Sequence, residues 1–273
     1  MATNDKLPVT EANTYQSPQP RPGFIARRWP SLTFYTKLFW IVYKAGSKAN
    51  WDRYDGTAWA LSSEAVLRLL EQVGCRLDVS GLDAIRAVDG PCVFVGNHMS
   101  TLETFVLPCF IQPWRDVTFV VKQSLLKYPL FGEVLRSRKP IVVGRANPRE
   151  DLAVVLGKGS EQLAAGTSII VFPQSTRSPV FDPAHFNTIG VKLAKRAGVP
   201  VVPLALKTDA WANGTRFKDF GPIHTDRTVR FAFGEPLSIT GQGKEEHHQI
   251  CSFITSKMAE WGAAPGAVPL EAQ

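Results

Sequence analysis

The 273-residue sequence predicts an α/β fold: one domain built on a largely parallel mixed sheet flanked by helices, with a helical pair ahead of it. Three observations carry this. Short apolar runs at 91–95, 117–121, 141–144, 168–172, 201–206 and 229–233 have strand length, and their near-continuous apolar character is that of strands buried on both faces. Helix-like segments fall between most of them. Start and stop signals bracket the clearest one: Asn147 as N-cap, Pro148 in the first turn, Glu150 two residues later, and Gly166 past the end. The composition, 44% apolar and 20% charged with 21 Gly and 20 Pro, is globular and excludes fibrous or low-complexity chains.

Taken in order, residues 1–30 are predicted as a disordered lead-in, polar and Pro-rich at the start and without the apolar stretch of a signal peptide. Residues 31–73 are predicted as two amphipathic helices. In the first, Lys37, Lys44 and Lys48 share one helical face, while Phe34, Leu38, Phe39, Trp40, Val42 and Tyr43 cover much of the rest. The second runs over 58–73, capped by Thr57, with Val66, Leu69, Leu70 and Val73 on its apolar side and Gly74 as its stop. Residues 75–261 form the main domain, with further helices at 187–197, stopped by Gly198, and at 245–261. Residues 262–273 are predicted as a flexible tail. No run approaches the ~20 apolar residues of a membrane-spanning helix; the best, 34–43, is broken by Lys37.

Lys and Arg exceed Asp and Glu by 31 − 24 = 7. Six of these positive charges (Arg21, Arg27, Arg28, Lys37, Lys44, Lys48) fall in the acid-free stretch 21–50, leaving 7 − 6 = 1 for the rest of the chain. A basic stripe beside aromatic bulk suits a helix lying on an anionic membrane surface; the alternative is a helix packed on its own domain. No helix-turn-helix, zinc-finger or RNA-motif pattern accompanies the charge, so no nucleic-acid partner is expected. Cys75, Cys92, Cys109 and Cys251 form no CxxC pair, and three of them, in apolar surroundings, read as reduced core residues. The segment Asn213-Gly214-Thr215 spells a sequon but is expected to be a turn, and His185 to be a solvated loop residue. Trp211 and Phe217 are placed either at a substrate mouth or in packing.

Dinucleotide, P-loop and zincin motifs are absent. In their place, a buried strand ends at Gly96 and presents Asn97-His98-Met99-Ser100-Thr101-Leu102-Glu103 at its carboxyl edge, where open α/β sheets bind ligands. Glu103 has two possible roles. It can return to the imidazole, fixing its tautomer and stabilising the imidazolium, or it can complete a capping box begun by Ser100. A second strand ends in Phe172-Pro173-Gln174-Ser175-Thr176-Arg177-Ser178, where the Arg177 guanidinium is suited to a phosphate.

Over roughly 82–237 the sequence resembles the PlsC-type glycerophospholipid acyltransferases, the 1-acylglycerol-3-phosphate acyltransferases. The family's Asn-His-x4-Asp motif corresponds to Asn97–Glu103, its Lys-x-x-Leu segment to Lys122-Gln123-Ser124-Leu125-Leu126-Lys127-Tyr128-Pro129-Leu130-Phe131-Gly132, and its strand ending in Arg to Ile141-Val142-Val143-Gly144-Arg145. Its Phe-Pro-Glu-Gly-Thr-Arg-Ser motif corresponds to 172–178, and its apolar Val-Pro strand to Val199-Pro200-Val201-Val202-Pro203. The resemblance implies that His98 acts as general base on an acceptor hydroxyl, oriented by Glu103. The acyl donor is then a thioester, acyl-CoA or acyl carrier protein, with no metal or other cofactor. It further implies that Lys122, Arg145 and Arg177 hold the acceptor phosphate, and that Asn97, Gln174, Ser175 and Thr176 complete the acceptor site. It places the protein peripherally on the cytoplasmic face of a membrane, bound through 21–50.

Two departures bear on the acceptor. Glu103 stands where the family has Asp, and Gln174-Ser175 where it has Glu-Gly, so that a carboxylate and a permissive glycine are both missing. The resemblance implies lysophosphatidic acid or a related lysolipid as acceptor; the departures point away from lysophosphatidic acid itself, with lyso-ornithine lipid as an alternative and a non-catalytic lipid-binding homologue as another. An esterase using Ser100 or Ser175 lacks the GxSxG elbow.

Overall fold

The computed structural model describes residues 12–263; the start of the lead-in and nearly all of the expected tail lie outside the described residues. Eight strands form one sheet in the order β1-β2-β8-β7-β3-β6-β4-β5. They are β1 (Tyr15–Gln16), β2 (Arg76–Ser80), β3 (Val93–Gly96), β4 (Val117–Lys122), β5 (Ile141–Val143), β6 (Ser168–Val171), β7 (Val201–Lys207) and β8 (Thr228–Phe233). From β7 to β5 every neighbouring pair is parallel. The β7–β8 and β1–β2 pairs are antiparallel. The helices are α1 (Phe24–Arg28), α2 (Pro30–Asn50), α3 (Gly56–Val73), α4 (Asp83–Arg86), α5 (Leu102–Ile111), α6 (Phe131–Ser137), α7 (Pro148–Ala164), α8 (Ile189–Ala197) and α9 (Lys244–Glu260).

The expected α/β architecture is present, and all six sequence-predicted strands and the three later helices form within a residue or two of their expected bounds. Asn147 caps α7 by accepting from the Arg149 amide at 3.1 Å, and Gly198 ends α8 at φ +68°. The core divides into two clusters. Val93, Ile169, Leu193, Val201 and Ile250 belong to the one that includes residues of α7, α8 and α9, and Phe94, Ile170, Val202 and Phe231 to the one that includes residues of α2, α3 and α5. Alternate β3 residues thus feed opposite clusters, as a strand with both faces buried requires.

Three expectations are corrected. Residues 12–30 are not wholly a disordered lead-in: Tyr15 and Gln16 pair with β2, and Phe24–Arg28 is helical. A polar cluster pins this end, with Ser17 Oγ donating to Glu71 Oε1 at 2.7 Å and Arg68 Nη1 to the Tyr15 hydroxyl at 2.7 Å. The cap of α3 is Asp55, which accepts from the Ala58 amide at 2.8 Å, not Thr57. Nor is the helical pair an appendage ahead of a domain that begins at 75. Leu67, Leu70 and Val73 of α3 are buried in the same cluster as Phe94 and Phe110, and Phe34 and Leu38 of α2 join them.

Gly96, the last residue of β3, pairs with Leu204, and a Cβ there would stand 2.8 Å from the Leu204 carbonyl oxygen. Backbone cannot yield as a flexible side chain does, so Gly96→Ala is expected to cost about 1–3 kcal/mol in thermal unfolding. Because the loop starts at the next residue, it should also shift His98.

Candidate active site

Five parallel strands put five carboxyl ends on one edge of the sheet, and each end carries a polar group. In order across that edge stand Thr208 after β7, His98 after β3, the 172–177 segment after β6, Lys122 at the end of β4, and Arg145 after β5. Segments far apart in the chain meet because the crossover connections return every strand in the same direction.

His98 and Glu103 are paired, with Nδ1 2.8 Å from Oε1. Glu103 is fully buried and serves both roles that the sequence left open. Besides His98, its carboxylate accepts from the Met99 amide at 2.7 Å, the Ser100 amide at 2.9 Å and the Thr208 hydroxyl at 2.7 Å. The Ser100 hydroxyl lies 3.1 Å from Oε2 and also accepts from the Leu102 amide at 3.1 Å, so a capping arrangement opens α5. Burial on its own pushes the Glu103 carboxyl up. The bond from His98 and its charge, with the Thr208 hydroxyl and the Ser100 amide, outweigh burial and hold it below the usual carboxylate range. An ionised Glu103 fixes the proton of His98 on Nδ1 and leaves Nε2 free to accept one. The imidazole stacks on Phe172, ring centroids 4.5 Å apart and planes at 4°, which sets its orientation.

Of the residues assigned to the acceptor, Asn97 stands off the cavity and Gln174 has a second task. Asn97 is 2% exposed and both of its amide atoms are used by β7: Nδ2 donates to the Leu206 carbonyl and Oδ1 accepts from the Leu206 amide, each at 2.8 Å. It ties β3 to β7 and does not line the cavity. Gln174 is buried and lines the cavity, and its Oε1 accepts from the His98 backbone amide, so this side chain also positions the histidine loop. Ser100 is buried and bonded to Glu103 and Thr208, unlike an exposed nucleophile.

Lys122, Arg145, Ser175, Thr176 and Arg177 line one cavity of about 1010 Å³ together with His98. Arg145 has φ +60°. Its amide and that of Gly144 each donate to the Asp151 carboxylate at 2.9 Å, which holds that turn, and its guanidinium donates to the Ser175 carbonyl. Arg177 pairs with Asp219 at 2.7 Å and donates to the Thr101 hydroxyl. From this polar end the cavity continues between apolar walls of α2, α3, β4 and α6, including Leu38, Val42, Trp59, Val66, Phe119 and Val134.

The acyltransferase family profile matches residues 76–207. The 1-acyl-sn-glycerol-3-phosphate acyltransferase of Pseudomonas aeruginosa is 32% identical over 191 residues, which is 68% of this chain and 70% of that protein. The chain belongs to this family of acyltransferases. A chloroplastic 1-acyl-sn-glycerol-3-phosphate acyltransferase of Brassica napus is 30% identical over 131 residues, so that the match covers 48% of this chain and 37% of that longer protein. In fold, the acyltransferase is similar to the crystal structure of the 1-acyl-sn-glycerophosphate acyltransferase PlsC from Thermotoga maritima. The TM-score is 0.66 at 20% identity, over 86% of this chain and 96% of that one.

Sequence reasoning missed Thr208, Asp219 and Tyr128. Thr208 had a usable signal, a hydroxyl directly after an apolar strand. Tyr128 lay inside the Lys-x-x-Leu segment but carried no assigned role, and Asp219 had no signal: the two meet, hydroxyl to Oδ2 at 2.8 Å, only in three dimensions. Trp211 is 1% exposed and lines the cavity, so it both packs and borders the site, whereas Phe217 is exposed. His185 is solvated, as expected, and bonds only Asp182 nearby, at 2.6 Å. The four cysteines are free and buried, and burial pushes the Cys75 thiol up to about 12 and that of Cys251 to about 11.

Proposed function

We propose that the protein transfers a fatty acyl group from acyl-CoA or acyl carrier protein to the free hydroxyl of 1-acylglycerol-3-phosphate or a close lysolipid. The observation that carries this reading is the single cavity with three chemically distinct parts. It has the His98–Glu103 pair at its polar end, the cations Lys122, Arg145 and Arg177 beside it, and an apolar extension suited to an acyl chain. In the proposed step Nε2 of His98 takes the acceptor hydroxyl proton while that oxygen attacks the thioester carbonyl. The tetrahedral intermediate collapses with cleavage of the C–S bond, and the imidazolium returns its proton to the leaving thiolate. A thioester is already activated, so the step as written uses no metal and no further cofactor.

The exposed aromatics of α2 with Lys44 and Lys48 support a peripheral position on an anionic membrane, at the cytoplasmic face, where the acceptor and the thioester donors meet. Among the described residues no helix is long and apolar enough to cross a membrane. No nucleic-acid partner is proposed.

Purified protein given labelled acyl-CoA should release CoA and form phosphatidic acid from lysophosphatidic acid. Failure with this acceptor and with other anionic lysolipids would overturn the reading. Asp219 shapes a second test. It competes with a phosphate for Arg177, so Arg177→Ala should raise the acceptor KM about 10–100-fold, the value of a charge-assisted bond. Asp219→Asn should lower the KM a few-fold at similar kcat. If Asp219→Asn raised it, the carboxylate would be recognising a cationic headgroup, which favours an amine-bearing acceptor such as lyso-ornithine lipid.

A further inference from the structure

We propose that the tip of the β7–β8 connection, around Phe217, is a second membrane-contacting element that seats the cavity mouth on the bilayer. This rests on the peripheral membrane position proposed above. It concerns a different part of the chain from α2.

The exposed large apolar side chains of the described residues are unevenly placed. Outside the segment 24–61 there are three, Tyr128, Phe217 and Phe220, and all three gather at one point. Phe217 is 68% exposed and Phe220 61%, and they flank Asp219, whose carboxylate accepts from the Tyr128 hydroxyl at 2.8 Å. Phe217 lies between Arg216 and Lys218, both exposed and neither in an ion pair among the described residues. Aromatic rings alternating with free cations are complementary to an anionic headgroup layer over an apolar interior.

The tip is a built structure. The Gly214 amide donates to the Lys218 carbonyl at 3.2 Å and the Phe220 amide to the Phe217 carbonyl at 3.0 Å. A Cβ at Gly214 would stand 2.2 Å from the Phe217 carbonyl oxygen, so the chain closes tightly there. The loop also continues the aromatic surface of α2. Phe220 packs on Tyr35 with centroids 5.7 Å apart, Tyr35 donates to the Gly221 carbonyl, and one turn further along α2 Phe39 stacks on Tyr43. Tyr35, Phe39, Phe220, Asp219 and Tyr128 all border the cavity. The mouth is therefore ringed on both sides by side chains suited to lipid, and an acceptor would enter from the bilayer without crossing water.

The test uses the full chain with Phe217→Cys labelled by an environment-sensitive fluorophore; the native cysteines are buried, which keeps the label at the tip. With phosphatidylglycerol vesicles the protein should co-float and the label emission should rise severalfold. Phe217→Ser, which lies off the cavity wall, should weaken vesicle partitioning about five- to tenfold, the worth of one ring withdrawn from lipid. Its thermal unfolding and its activity on detergent-dispersed acceptor should be unchanged. Co-flotation without any change at the label would overturn the loop assignment and leave the α2 contact standing. Absence of co-flotation would overturn the membrane position itself and the loop with it. Emission that rises with protein concentration in the absence of vesicles would assign the tip to a second copy of the chain and overturn the proposal.

Discussion

His98→Ala should lower kcat for acyl transfer about 10²–10⁴-fold, the usual share of a positioned general base. Lysolipid KM should change little, since the cations and the apolar wall of the cavity are untouched. The fold should survive. His98 is only one of the donors to Glu103, and the Met99 and Ser100 amides and the Thr208 hydroxyl keep that buried carboxylate satisfied. Release of CoA thiol at saturating acceptor reads the rate, and a thermal melt reads the fold. An alanine variant within about threefold of the parent would remove His98 from the chemistry.

Glu103→Asp is the second large effect, and it installs the residue that the sequence resemblance leads one to expect at this position. It should lower activity, by about a hundredfold if the imidazole shifts by 1 Å. The His98 nitrogen, two loop amides and the Thr208 hydroxyl all stand at bonding distance from a carboxylate placed by the longer side chain. Shortening that chain by one methylene forces the carboxylate to give up some of these partners. Glu103→Ala goes further, leaving several buried donors unpaired, and should cost about 3–5 kcal/mol of stability. An aspartate variant as active as the parent would show that the loop follows the carboxylate, against the argument from Thr208.

The pH dependence of stability follows from the same group. Its folded pKa is depressed, so the stability it contributes is complete above the ordinary carboxyl range and is lost as pH falls through the lowered folded value. Melting temperatures of the parent should fall more steeply in acid than those of Glu103→Gln, whose side chain does not titrate.

Strand positions were readable because burial on both faces leaves near-continuous apolar runs, as in Val93–Gly96 and Val201–Lys207. The strands that were missed, β1 and β2, lack this signal. Tyr15–Gln16 is two residues long, and Arg76–Ser80 alternates exposed or half-buried with buried positions near the sheet margin. The order at 12–30 was illegible for a related reason. Tyr15 and Ser17 are held by Glu71 and Arg68, more than fifty positions away, and no local pattern announces such a partner.

The candidate site divides in the same way. His98 and Arg177 were legible in turns that end apolar strands, with Glu103 five residues beyond His98, whereas Lys122 and Arg145 were legible through the family resemblance. What each polar atom does there depended on what stood opposite. Asn97 proved a clasp to β7, Gln174 a brace for the His98 amide, and Arg177 the partner of Asp219. By itself the sequence determined the parallel sheet, the edge that carries the chemistry, the histidine–glutamate spacing and the concentration of positive charge in 21–50. Only the tertiary structure decided that Glu103 caps a helix and pairs with His98 at once. It also decided that α3 belongs to the core and that a loop from β7 joins the cavity mouth. Periodicity and charge are properties of neighbours along a chain, whereas hydrogen-bond partners and cavity walls are properties of neighbours in space.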